Sequence, residues 1–218
     1  MKTVLITGAT HGIGLTVVEQ YIAQGWNVIA AVRNLDKADK LRELKPYKIV
    51  QLDASDEESI LKAARELDGE TIDVLINNAG IFDTKTFDTT TKADLVEKYE
   101  VNAVGPFLVT RAFLEHLKRA SASVGLAKYC VEHIRKDARL SWSKAALNMI
   151  SVTLAVDLKT SGIASLLYHP GYVATDINNY EGVVEVQVSV ARMIRLIEGA
   201  TIEDSGKFFG EEGDILPW

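Results

Sequence analysis

Thr3-Val4-Leu5-Ile6-Thr7-Gly8-Ala9-Thr10-His11-Gly12-Ile13-Gly14 decides how the rest of the chain is read. A strand-length apolar run passes directly into three glycines spaced G-x-x-x-G-x-G, and these open an amphipathic run over residues 15–24. Strand, glycine turn and helix start thus occur in the order that a nucleotide site requires. Gly8 lets the chain turn tightly, Gly12 lets a diphosphate approach the backbone, and Gly14 lets the helix pack against the strand. Thr10, His11 and Ile13 complete the turn, whose amides and positive helix end face the anion. The other reading is a turn with no ligand, since glycine punctuates many chains.

Outward from this turn, Val- and Ile-rich runs at 3–7, 27–32, 47–52, 73–76, 127–131, 163–168 and 207–209 alternate with helical patterns at 13–24, 37–43, 57–67, 92–118, 141–159 and 183–198. That rhythm predicts an α/β fold: one Rossmann domain over residues 1–218, its seven-stranded parallel sheet doubly wound with helices on both faces. Residues 84–91 and 120–125 read as surface connections. With 47% hydrophobic and 25% charged residues in 218, the chain can bury a core, which excludes disorder and fibrous architectures. A formal net charge of −6 gives no basic field for a nucleic-acid backbone. Cys130 is the single cysteine, which rules out an internal disulfide and fits a reducing, cytoplasmic setting. No run of 18 apolar residues occurs, so no membrane span is expected, and no metal-ligand spacing is found.

The ends of the predicted strands carry further candidates. Strand two ends in Ala31-Val32-Arg33-Asn34, with no acid before Asp36. An acid here would hold ribose hydroxyls, whereas the Arg33 fork matches a 2′-phosphate, so NADP(H) is favoured over NAD(H). The same residue counts against a methyltransferase, whose adenosine would call for an acid. Asp53 can accept from an adenine amine, and the small residues of Asn77-Asn78-Ala79-Gly80 let backbone lie against a ribose. Pro106 has no N–H to offer the Asn102 carbonyl, so the helix should kink there. Lys144 stands in a helix that is apolar on nearly every face from 144 to 156, which reads as a buried, functional lysine and as a helix covered by a second subunit.

Thr7–Gly14, Asp53, Asn77–Gly80, Val101-Asn102-Ala103-Val104-Gly105-Pro106, Ser143-Lys144-Ala145-Ala146 and His169-Pro170-Gly171, in this order, closely resemble the short-chain dehydrogenase/reductase family. Lys207-Phe208-Phe209 and Leu216-Pro217-Trp218 look like its small C-factor-type, carbonyl-reductase-like members. The resemblance implies hydride transfer between nicotinamide C4 and a carbonyl or alcohol carbon. It implies an Asn, Ser, Tyr and Lys catalytic set, of which Asn102 and Lys144 match. It further implies a water held at Asn102 as a proton relay, and Pro170, Gly171, Val173 and Thr175 beside the nicotinamide.

The chain departs from the family at Leu140, four residues before Lys144, where the resemblance calls for Tyr. Leucine cannot donate a proton. The family Ser is missing too, with His133 or Ile134 in its place depending on the alignment. His133 is the substitute best suited to proton transfer near neutral pH; a solvated surface histidine is the other reading. Tyr172 is a weaker candidate, and a hydroxyl at Ser141 or Ser143, on the Lys144 helix, has no evident way to reach the Leu140 position. The expected function is slow NADPH-dependent reduction of a small carbonyl compound. The alternative is an NADP(H)-binding sensor without turnover. A homodimer or homotetramer through the helices near 92–118 and 141–159 is expected.

Overall fold

The computed structural model describes residues 1–83, 85–120, 123–128 and 138–217, of which 123–128 and 138–141 are described by backbone alone. Strands β1 (Thr3–Thr7), β2 (Asn27–Val32), β3 (Lys48–Gln51), β4 (Val74–Asn77), β5 (Ser123–Lys128), β6 (Ile163–Tyr168) and β7 (Phe208–Phe209) pair in the order β3-β2-β1-β4-β5-β6-β7. Every pairing in this sheet is parallel. The chain winds from β1 outward to β3, then crosses back over β1 to begin β4. The carboxyl ends of β1 and β4 therefore diverge into the crevice where open α/β sheets hold ligands.

Alternate residues of each strand face opposite sides, and both sides are covered, so the strands read as continuous apolar runs. Val4, Ile6, Val28, Ala30, Leu166 and Tyr168 pack on one side with Val17, Val18 and Tyr21 of α1 (Gly12–Ala23) and Met193, Ile194 and Ile197 of α8 (Val186–Gly199). Leu5, Ile29, Val50 and Leu75 pack on the other with Ile60 and Ala63 of α3 (Glu57–Glu66). A short α2 (Asp39–Leu44) precedes β3. Helix starts follow the capping residues: the Asp56 carboxylate accepts from the Glu58 amide, and Thr91 forms a reciprocal capping box with Asp94.

Four sequence expectations need correction. The connection expected over 120–125 includes the start of β5, where Val124 pairs with Val74 and Gly125 with Leu75. Ser, Val and Gly have little joint strand propensity, but pairing with β4 on one edge and β6 on the other overrides it. The strand expected at 127–131 therefore begins earlier; its residues 129–131 lie outside the described residues. Likewise the helix expected from Ser141 already runs from Ala138 to Leu158, as α7.

The helix expected over 92–118 is not continuous. It comprises α4 (Lys92–Tyr99), a π-helical turn over Glu100–Val104, α5 (Gly105–Ala112) and α6 (Leu114–Lys118). The Gly105 amide donates to the Glu100 carbonyl, one residue farther back than in an α-helix. Pro106, the first residue after it, has no amide to continue the ladder, so the chain widens by one residue before α5 begins. Asn102 lies inside this wide turn and is buried. No helix among the described residues is long and apolar enough to cross a membrane.

Candidate functional site

The glycine turn is tied to the end of β4 by side-chain bonds. Gly8 and Gly12 have φ of +66° and +50°, where a side chain would be strained. The Asn78 carboxamide donates to the carbonyls of Thr7 (2.9 Å) and Gly8 (3.0 Å). In return the Thr7 hydroxyl oxygen accepts from the amides of Asn78 and Ala79, both at 3.1 Å. A Cβ at Gly14 would stand 2.2 Å from the Gly8 carbonyl oxygen and 2.6 Å from the Asn78 amide nitrogen. Gly14 is thus needed by the turn itself and by Asn78, a closer constraint than packing of helix on strand. His11, the residue capping α1, places no side-chain acceptor on the first-turn amides.

A second cluster lies across the crevice. The Asn102 carboxamide grips the backbone of Ile81 in both directions, accepting from its amide (2.9 Å) and donating to its carbonyl (3.0 Å). It also donates to the Ser143 hydroxyl at 3.2 Å, linking the π-turn to α7. Ser143 and Lys144 are both buried. A Cβ at Gly80 would lie 3.2 Å from Asn102 Oδ1 and 3.9 Å from Lys144 Nζ, so the glycine leaves room for both.

One open cavity of about 880 Å³, the solvent at its mouth included, joins the two clusters. Of the residues expected from sequence, Gly8, His11, Gly12, Ile13, Gly14, Asn78, Ala79, Gly80, Asn102, Lys144, Val173 and Thr175 line it. Four more lining residues escaped the sequence reading: Ile81, Phe82, Asp176 and Ile177. Ile81 and Phe82 directly follow Gly80, which was the available signal. Asp176 stands at the mouth, with a carboxylate oxygen 3.7 Å from His11 Nε2, and a Cβ at Gly12 would lie 3.4 Å from its other oxygen.

Six other candidates from the sequence do not line the cavity. Arg33 is exposed just past the end of β2. The Asp53 carboxylate accepts from the amide (2.9 Å) and hydroxyl (2.7 Å) of Ser55. The Thr10 hydroxyl pairs with His11 Nδ1 at 2.8 Å. The Pro170 carbonyl accepts from the Ser189 hydroxyl at 2.7 Å, and Gly171 adopts φ +80°. Tyr172 uses its carbonyl to receive the amides of Val183 and Val184. Tyr168 is buried at the end of β6, its phenol pushed up to about 12 by burial and bonded to the Ser189 carbonyl, so it is no ready proton donor. Cys130, His133 and Ile134 lie outside the described residues. Leu140 is in α7, four positions before Lys144, with its backbone alone described.

Comparison with known proteins gives this arrangement a family. The pattern of the short chain dehydrogenases matches residues 2–183. This chain belongs to the short chain dehydrogenase family. The C-signal protein of Myxococcus xanthus is 33% identical over 154 residues, covering 67% of this dehydrogenase-family chain and 93% of its own. The NADP-dependent (R)-specific alcohol dehydrogenase of Lentilactobacillus kefiri is 29% identical over 199 residues, covering 85% and 79%. Among solved structures, the NADPH-bound carbonyl reductase from chicken fatty liver superimposes with a TM-score of 0.92 at 31% identity, covering 100% of this chain and 99% of its own. The family and these neighbours place the chain among the short chain dehydrogenases, with their α/β Rossmann-like fold.

Proposed function

We propose that the protein is an NADP(H)-dependent reductase of a small carbonyl compound, working slowly because its proton donor is altered. The observation that carries this reading is the meeting of the Gly8–Gly14 turn with Lys144 and Asn102 in one cavity at the β1/β4 crevice. The residues fit a dinucleotide: Gly12 and Gly14 keep the turn bare, His11 leaves the helix amides uncapped, and Gly80 leaves a cradle above Lys144. The turn amides would hold the diphosphate, Ala79 and Gly80 would border a ribose, and Asp53 would face the adenine. Arg33 would meet a 2′-phosphate. The chicken liver carbonyl reductase binds NADPH and the Lentilactobacillus enzyme is NADP-dependent, which supports that choice of cofactor. Pro170, Gly171, Val173 and Thr175 would flank the nicotinamide, and when bound the cofactor supplies the hydride.

The chain's own groups set the rest. Lys144 lines the cavity, where its ammonium would favour the negative charge that develops on a reduced carbonyl oxygen. Asn102 anchors the Ile81 wall through both backbone groups. Leu140 gives no proton at the position where the family carries Tyr, and a general acid is worth about 10²–10⁴-fold, or roughly 3–5 kcal/mol of barrier. Positioning of carbonyl against cofactor remains, so turnover is low without being lost. His133 is the proposed substitute donor. A reducing, cytoplasmic setting suits the single cysteine, and a second copy suits the apolar outer stripe of α7.

The reading is tested by titrating the purified protein with NADPH and then following NADPH oxidation across a panel of ketones, aldehydes and quinones. Saturable binding with slow oxidation is expected; no binding at millimolar NADPH overturns the proposal. Leu140→Tyr should raise the rate at least tenfold, whereas an unchanged rate argues that position 140 does not face the substrate.

A further inference from the structure

Lys98 is buried, at 3% exposure, in the last turn of α4, outside the cavity and outside the family motifs. A lysine is seldom buried unless it is paired. Its ammonium bonds the Asp83 carboxylate, whose side chain is 31% exposed. Four positions farther along, in the π-turn that follows α4, Asn102 holds both backbone groups of Ile81. The end of α4 and the π-turn after it therefore fasten the segment leaving β4 at two points, Asp83 and Ile81. Between them stands Phe82, which lines the cavity with Ile81.

We propose that Lys98 is a positioning residue: its ion pair with Asp83 fixes Ile81 and Phe82 as the apolar wall against which a bound ligand packs. An apolar pair can match a buried ion pair in stability, so stability alone does not account for a charged lysine here. A charged hydrogen bond has direction, which an apolar contact lacks, and direction sets where residue 83 and hence Phe82 come to rest. A neighbouring pair from the same segment, Lys85 with Asp94, supplies an internal comparison. Its lysine is 45% exposed, and its carboxylate is already shared with the Thr91 cap.

The test reads the wall directly and does not depend on the ligand being NADP(H). The Lys98→Met/Asp83→Leu double variant is compared with the parent by amide hydrogen exchange and by the δ1-methyl resonance of Ile81. The thermal midpoint should stay near that of the parent, while the Ile81 amide exchanges about tenfold faster and its methyl resonance shifts. Amides in β1 and β6 should keep their parent rates. Asp83→Asn, which keeps shape and removes charge, should move both readouts the same way by less. Lys85→Met should leave them unchanged. Parent values in both Asp83 variants, a uniform acceleration across the sheet, or an equal loss in Lys85→Met would each overturn the proposal. If the double variant does not fold, Asp83→Asn decides by the same criterion.

Discussion

Gly14 has no room for a methyl group, because a Cβ would stand 2.2 Å from the Gly8 carbonyl oxygen. Gly14→Ala should therefore cost about 1–3 kcal/mol of stability through overpacking and displace the turn, measured as a lower urea midpoint together with loss of NADPH binding. Unchanged values would mean that the turn is not rigid. Arg33 makes a different demand, since its side chain is exposed and does not line the cavity. A charged hydrogen bond is worth about 1.5–3 kcal/mol, so Arg33→Ala should weaken NADPH binding by roughly tenfold or more. NADH binding should change little; equal losses for both cofactors in parallel titrations would reject the 2′-phosphate assignment. At this scale the sequence is legible where chemistry restricts the residue type, as it does at Gly8, Gly12, Asn102 and Lys144. Phe82 and Ile177 were not legible, because an apolar residue carries no sign of whether it faces a core or a cavity. Asp176 was missed for another reason: its place depends on how the chain after Thr175 folds back over Gly12.

His116 in α6 shows how an element can be tuned by burial. Its ring is buried against Phe113 and bonds the Leu67 carbonyl at 3.1 Å, and desolvation holds its pKa below the ordinary value. The unfolded chain then binds the proton more readily than the folded one. The stability due to neutral His116 should be complete above about pH 6.5, the unfolded value, and be lost as pH falls toward the folded value. Urea unfolding of the parent between pH 8 and pH 5 should show this loss, and His116→Gln should show a smaller one. Identical pH profiles would contradict the assignment. The alternation of strands and helices was legible because both faces of the sheet are covered, which makes every strand an apolar run. The π-turn was legible only as a fault at Pro106, since the missing amide is written in the sequence while the widening by one residue is a backbone response. The start of β5 was not legible, because Ser123, Val124 and Gly125 owe their extended form to two flanking strands rather than to their own preferences.

For the whole molecule, three large apolar side chains stand out on α7. Trp142, Met149 and Val156 recur every seven residues and are 56%, 66% and 70% exposed, which supports burial of this stripe by a second copy of the chain. Met149→Glu/Val156→Glu should convert a dimer or tetramer to monomer in sedimentation at micromolar concentration, and a parent that is itself monomeric would reject this. The subunit arrangement matters less than what the β1/β4 crevice holds. The most direct measurement is an equilibrium titration of the parent protein, followed by NADPH fluorescence and by heat, with NADH run alongside. A saturable signal that favours NADPH over NADH is expected. No signal from either nucleotide at millimolar concentration would contradict the account.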